Sequence, residues 1–168
     1  DLNGDGYADL VVGAYRASAV DNASANNRGR SYVYYGSATG LGTATGTSAG
    51  QRQTLNNPNT LTTLDFFGFS VAGAGDVNGD GYGDLVVGAY GASTTDNTTA
   101  TSQGRAYVYY GSASGLGTAP GSSASQRQTL LNPNTATTSD FFGASVAGAG
   151  DLNGDGYADL VVGAYRAS

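Results

Sequence analysis

Residues 76–89 read DVNGDGYGDLVVGA, an Asp-, Asn- and Gly-rich loop that leads directly into a short apolar run. Nearly the same stretch stands at residues 1–14 and 151–164, where it reads DLNGDGYADLVVGA. The copies are 75 residues apart, and the register between them holds without a gap. A period of this length is typical of solenoids, propellers and tandem arrays, in which each repeat is one supersecondary unit. The sequence therefore predicts a repeat protein.

One full period contains four stretches that predict short strands. Residues 70–75 alternate small side chains, and residues 84–90 form an apolar run typical of a strand covered on both faces. Residues 105–110 are aromatic and β-branched, whereas residues 126–130 are polar, as an outer edge strand should be. No stretch shows helical periodicity. We therefore predict an all-β fold of β-propeller blades, each of four antiparallel strands, arranged in tandem.

The composition argues against several classes of function. The chain contains no Cys, His, Lys or Glu, so most general bases, thiol nucleophiles and Schiff-base amines are missing, and we do not expect an enzyme. The 13 Asp and 7 Arg give a net charge of −6 without a basic cluster, which argues against nucleic acid as a partner. No apolar run approaches the roughly 18 residues of a membrane span.

The repeated loop carries side-chain oxygens at alternate positions, and nine of the 13 Asp lie in its three copies. Calcium binds about six to eight oxygens in a flexible cage, and glycine allows the loop backbone to turn inward. Carboxylates crowded into one loop repel one another, and a dication relieves that repulsion. We predict one Ca²⁺ per loop, with a tyrosine peptide oxygen as fifth protein donor. The predicted ligands are Asp1, Asn3, Asp5, Tyr7, Asp9, Asp76, Asn78, Asp80, Tyr82, Asp84, Asp151, Asn153, Asp155, Tyr157 and Asp159.

Two other interpretations of the Asp-rich loop compete with a calcium site between strands. A plain hairpin turn would explain the Asn-Gly and Asp-Gly pairs, but not the acids at two-residue spacing. An EF-hand loop also begins Asp-x-Asn-x-Asp-Gly, but it requires flanking helices and a Glu at its twelfth position, where this chain has Val12. Calcium bound by a loop between strands fits better than either.

The repeat resembles the FG-GAP family, which forms the blades of integrin α-subunit β-propellers and of their bacterial relatives. The residues that carry the resemblance are Phe142-Gly143, Ser145 to Gly148, Gly150 to Gly156, Asp159-Leu160 and Gly163-Ala164, with Phe67-Gly68 and Gly88-Ala89 in the middle copy. The resemblance implies a four-stranded blade with calcium between its first and second strands. One departure is that Tyr15, Tyr90 and Tyr165 stand where the family has proline, at the turn after the second strand.

The phase of the repeat predicts three units. Residues 1–66 are a partial blade with the metal loop and the last three strands, residues 67–141 are a complete blade, and residues 142–168 supply the first two strands of another. Residues 151–168 repeat residues 1–18 without a change. Either the chain is an excerpt of a longer array, or copies complete one another's blades and form a ring or a filament.

These observations favour a calcium-binding extracellular structural or adhesive repeat protein located outside the cell or at its surface. Its expected partners are other copies of itself, further tandem repeats, or an extracellular protein or glycan. The alternative is a calcium-dependent, lectin-like β-propeller that binds carbohydrate. Asn22 and Asn97 begin N-glycosylation sequons at equivalent repeat positions, so a glycoprotein is a further hypothesis.

Overall fold

The computed structural model describes residues 1–18, 26–60, 64–94, 101–121, 126–134 and 139–167. Asn22 and Asn97, the predicted glycosylation sites, lie outside the described residues. The described chain contains no helix long and apolar enough to cross a membrane. Its strands are β1 (Leu10–Ala14), β2 (Arg30–Tyr34), β3 (Ala44–Thr45), β4 (Gln51–Asn56), β5 (Ser70–Gly75), β6 (Asp84–Ala89), β7 (Arg105–Tyr109), β8 (Ala119–Pro120), β9 (Gln126–Leu131), β10 (Phe142–Gly150) and β11 (Asp159–Ala164).

The strands form three sheets that follow one another along the chain. Their orders are β1-β2-β4-β3, β5-β6-β7-β9-β8 and β10-β11. Consecutive long strands pair antiparallel, whereas the two-residue strands β3 and β8 pair parallel with β4 and β9. The fold is therefore all-β, with sheets of the propeller-blade type, and the three described sheets do not close a ring.

The middle sheet contains the four strands predicted from the sequence, and each lies within a residue or so of its expected bounds. The prediction that the fourth strand, β9, forms the outer edge of the sheet was wrong, however, because the short strand β8 pairs with part of its outer side. A strand of only two residues, one of them Pro120, has no alternation that a sequence pattern could reveal. Proline is tolerated at this place because an edge strand needs no second set of backbone hydrogen bonds.

The two central strands of the middle sheet are buried on both faces, as the apolar run of residues 84–90 predicted for the first of them. Every residue of β6 and β7 is buried. Leu85, Val87 and Tyr107 pack toward the first sheet, whereas Val86 and Val108 pack toward the third. This division follows from the two-residue period of a strand, which sends successive side chains to opposite faces.

Successive sheets meet through a close backbone contact. Gly29, just before β2, forms a parallel bridge with Phe67, and Gly104 forms the same bridge with Phe142. The Phe67 N–H donates to the carbonyl of Arg28 at 3.0 Å. Gly29 has φ +85°, and a Cβ there would lie 1.9 Å from the Phe67 carbonyl oxygen. Only glycine therefore fits at this junction.

A row of aromatic rings links the sheets at the end of β6 opposite the Asp-rich loop. Tyr15, after β1, meets Phe69 edge-on with 5.2 Å between ring centroids, and Tyr90, after β6, lies 5.6 Å from Phe141. Phe69 meets Tyr90 edge-on at 4.6 Å. Tyr15 and Tyr90 thus hold neighbouring sheets together through ring contacts.

The burial of Phe67 predicts a large stability loss on truncation. Its ring is fully buried and meets Tyr107 edge-on at 5.6 Å. We expect Phe67→Ala to lower the free energy of unfolding by about 3–5 kcal/mol, as for other buried aromatic residues. Phe69→Ala is the matched control, because Phe69 is 45% exposed and the next repeat has Ala144 at that position. Urea denaturation would measure both, and equal losses would contradict the packing described here.

Candidate metal centre

Each Asp-rich loop is anchored to the strand that follows it. The middle loop joins β5 to β6, and its last acid, Asp84, is also the first residue of β6. The β5–β6 ladder ends with a register shift between Gly73 and Gly75, at the point where the chain enters the loop. The third loop joins β10 to β11 in the same way, with Asp159 as the first residue of β11.

The first acid of the loop organises its backbone. Asp76 Oδ1 accepts hydrogen bonds from the N–H of Gly79 at 2.7 Å and of Asp80 at 3.1 Å, and its Oδ2 accepts from Gly81 at 2.8 Å. Asp151 makes the same three bonds in the third loop. These N–H donors, Gly156 foremost, lower the pKa of the Asp151 carboxyl, because they stabilise its charged form.

The second and third polar residues of the loop are tied to one another. Asn78 Nδ2 donates to Asp80 Oδ2 at 2.9 Å, and Asp80 Oδ1 accepts from the N–H of Tyr82 at 3.0 Å. The amide-to-carboxylate bond recurs at 2.9 Å in the first loop and at 3.0 Å in the third. The three loops thus share one hydrogen-bonding scheme.

In the middle loop, the last acid is the most buried member. Asp84 is 1% exposed and accepts from the N–H of Val77 and of Gly111, each at 2.8 Å. Burial raises the pKa of its carboxyl to about 6; the two N–H donors oppose this rise, and the charges of Asp80 and Asp76 add to it. Gly111 escaped the sequence analysis because it lies 27 residues away, after the third strand, and no local pattern joins it to the loop.

The structure brings the predicted ligands of each loop together within one hydrogen-bonded turn, but their oxygens accept from backbone and amide N–H groups. Among the described residues, no group of three or more acidic side chains is arranged as a ready metal site. The donor set itself suits a hard cation, since it consists of carboxylate, amide and peptide oxygens. The coordination of Ca²⁺ by these residues therefore stays a prediction.

Neighbouring loops also contact one another directly. The Tyr82 ring lies against Gly4 of the first loop, and the Tyr157 ring lies against Gly79 of the middle loop; a Cβ at either glycine would come within 2.5 Å of the ring. The N–H of Gly83 donates to the Asp1 carbonyl at 3.0 Å, and that of Ala158 donates to the Asp76 carbonyl at 2.9 Å. The loops thus form a continuous series along one end of the sheets.

Successive antiparallel sheets with an Asp-rich loop between the first and second strands define a repeat protein of the propeller-blade class. The chain belongs to the FG-GAP repeat family, which matches it at residues 1–34, 67–109 and 142–168. The matched segments include all three loops and the strands that follow them.

Integrin α-subunits are similar to this chain over nearly its whole length. Integrin alpha-IIb of Mus musculus is 35% identical over 175 residues, and integrin alpha-6 of Gallus gallus is 34% identical over 169 residues; each alignment covers 100% of this chain. Integrin alpha-PS3 of Drosophila melanogaster is 31% identical over 168 residues and 99% of the chain. The chain spans only 13–14% of the length of these relatives.

The contact between Tyr157 and Gly79 can be tested by adding one methyl group. Gly79→Ala would place its Cβ 2.5 Å from the Tyr157 ring, whereas Gly154→Ala, at the same loop position, meets nothing within 4 Å. Both glycines have positive φ, +74° and +76°, so the backbone strain is matched. We expect Gly79→Ala to destabilise the protein by about 1–3 kcal/mol more than Gly154→Ala, a typical cost of overpacking. Urea denaturation in chelator would measure this difference, and equal losses would show that the loops do not press together.

Proposed function

We propose that this chain is a calcium-stabilised, adhesion-related extracellular repeat module. The observation that supports the proposal best is the recurrence of one oxygen-rich hydrogen-bonded loop in all three repeats. The similarity to integrin α-subunits supports the adhesive and extracellular parts, although the chain corresponds to a small part of those proteins.

In the proposed site of the middle loop, Asp76, Asn78, Asp80 and Asp84 would supply side-chain oxygens and Tyr82 its peptide oxygen. Burial is the main cause of the raised pKa of the Asp84 carboxyl, and repulsion from the negative charges of Asp80 and Asp76 adds to it. A bound dication would offset this repulsion and thereby stabilise the fold. Because neighbouring loops are in contact, cations bound at successive loops would together stabilise the end of the sheets at which the loops lie.

Calcium is expected to raise the stability of the protein increasingly as its free concentration exceeds the dissociation constant of the loops. At a free calcium concentration 100-fold above the dissociation constant, each site would add about 2.7 kcal/mol. Differential scanning calorimetry in millimolar Ca²⁺ and in chelator would measure the change in melting temperature. An unchanged melt would contradict the proposal.

Isothermal titration calorimetry of variants would assign the sites to the loops. Asp80→Ala should remove one Ca²⁺ from the binding stoichiometry, because Asp80 is a proposed ligand of the middle loop alone. Asp96→Ala is the control, since this residue lies outside the three loops in the sequence. An unaltered stoichiometry in Asp80→Ala would place the bound calcium elsewhere.

Blade complementation between copies is a further part of the proposal. Within the described chain, β1 pairs on one side only, with β2, and β11 pairs on one side only, with β10. Residues 151–168 have the sequence of residues 1–18, so β1 of one copy could take the place of β11 beside β10 of another copy. Repeated head-to-tail pairing of this kind would build a ring or a filament.

Engineered cysteines would detect such pairing, because the natural chain has none. Ala147 lies opposite Val161 in the β10–β11 ladder, and Val11 is the repeat equivalent of Val161. We expect the double variant Ala147→Cys, Val11→Cys to form disulfide-linked oligomers on oxidation, seen on non-reducing gels. Each single variant serves as a control for chance cross-links. Monomers in the double variant, at all concentrations tried, would argue against complementation.

The alternative function is a calcium-dependent lectin. It is supported by the exposure of the third loop, whose residues 151–157 are all exposed, so that sugar hydroxyls could reach a cation bound there. In this mode, sugar binding would require calcium and would be lost in chelator. The experiment at the end of the next subsection distinguishes this mode from binding elsewhere on the molecule.

A further inference from the structure

A polar cleft lies between the first and middle sheets, at their outer strands. It has a volume of about 490 Å³, within the usual range of roughly 300–1,000 Å³ for ligand pockets. The first sheet contributes residues of β4 and of the turn after it, and the middle sheet contributes residues of β7, β8 and β9. The residues that bear on its chemistry are Thr54, Asn56, Asn57, Tyr109, Thr118 and Arg127. None of the predicted calcium ligands lines this cleft.

Arg127 is the charged group of the cleft. It is 8% exposed, and its guanidinium lies over the ring of Tyr107 with 5.2 Å between Cζ and the ring centroid. Within the described residues, its Nε and Nη1 atoms have no hydrogen-bond partner. A buried charged donor without a partner is costly and rare, so it needs a specific explanation.

The other described residues that line the cleft carry no negative charge. Every described residue that lines the cleft is neutral except Arg127. Tyr109 lies directly opposite Arg127 in the β7–β9 ladder. Burial raises the pKa of the Tyr109 hydroxyl, against the lowering effect of the Arg127 charge, so this hydroxyl is neutral at physiological pH. The lining of the cleft therefore presents one positive charge among neutral groups.

The chemistry of the cleft defines a class of ligand. A guanidinium binds a carboxylate through two parallel charge-assisted hydrogen bonds, which are stronger than bonds between neutral groups. The hydroxyls of Thr54 and Thr118 and the amides of Asn56 and Asn57 can each donate and accept, which suits a ligand rich in hydroxyl groups. Uronic acids combine these two features in a single sugar ring.

We propose that this cleft binds the carboxylate of an acidic saccharide through Arg127, with the threonine and asparagine side chains contacting the sugar hydroxyls. This site goes beyond the calcium-stabilised module proposed above, because it uses different residues in a different part of the fold. It also differs from the lectin mode, in which a loop cation would contact the sugar.

The sequence offers a matched control for Arg127. Arg52 is its equivalent in the first repeat and lies over Tyr32 with 5.5 Å between Cζ and the ring centroid. Arg52 does not line the cleft and is only partly buried. The two arginines therefore share strand position and aromatic contact, but only Arg127 faces the cleft between two sheets.

Isothermal titration calorimetry with trigalacturonate tests the proposal. We expect the wild-type chain to bind trigalacturonate at least tenfold more tightly than the carboxyl-reduced trisaccharide. Arg127→Gln should weaken binding at least tenfold, and Arg52→Gln should leave it unchanged. Equal affinity for the acidic and neutral sugars, equal effects of the two substitutions, or no binding at all would overturn the proposal. So would binding of triglutamate but not of the sugar, since that would indicate a peptide ligand.

A second variant tests the cleft independently, in case Arg127→Gln does not fold. Asn56 is exposed on the rim of the cleft, and the next repeat has Leu131 at this position, so Asn56→Leu should fold normally. We expect this variant to bind trigalacturonate several-fold more weakly, with the far-ultraviolet circular dichroism of the wild type. Unchanged binding in a folded Asn56→Leu would argue against the cleft.

The titration is repeated in chelator under conditions where circular dichroism shows that the chain is folded. Binding through Arg127 should persist there, whereas the calcium-dependent lectin mode should lose it. Loss of binding from a folded, calcium-free chain would overturn the Arg127 site and favour the loop site. If binding persists and calcium leaves the melting temperature unchanged, the result would support the cleft and contradict the calcium proposal. The failure of one proposal can therefore be distinguished from the failure of the other.

Discussion

The close approach of two backbones at Gly29 and Phe67, repeated at Gly104 and Phe142, is the constraint on which the arrangement of the sheets depends. Without a side chain on the glycine, the entry to each new sheet can hydrogen-bond to the segment before β2 or β7. This contact places the Phe67 ring between the first and middle sheets, against Tyr107. The aromatic row at one end and the contacts between loops at the other extend the same sheet-to-sheet packing.

The packing between sheets also separates two kinds of polar chemistry. At the loop end, oxygens are concentrated, and Asp84 is fixed between the backbone of its own loop and Gly111 from the turn after β7. At the outer strands, the cleft instead contains the buried guanidinium of Arg127. A site for cations and a site for anions can therefore coexist, because strand β7 separates Asp84 on β6 from Arg127 on β9.

Much of the fold could be predicted from the sequence, because it depends on patterns of residues that lie close together in the chain. The repeat of Asp, Asn and Gly gave the period, and the apolar run of residues 84–89 indicated a strand buried on both faces, as the structure confirms for β6. The candidate loops were also recognisable, since their oxygens lie within nine residues of one another. The strand β8 was missed because two residues, one of them proline, are too few to form a pattern.

The sequence by itself determined the repeat, the positions of the longer strands and the set of polar side chains in the loops, because these depend on residues close together in the chain. The tertiary structure alone decided how deeply each copy is buried: β1 and β11 are largely half-buried although they share their residues with the buried strand β6. It likewise decided that Arg127, and not its equivalent Arg52, faces a cleft. The physical reason is the same in both cases. The burial of a strand and the pairing of a charge depend on which sheet lies alongside, and repeats of the same sequence have different neighbours in space.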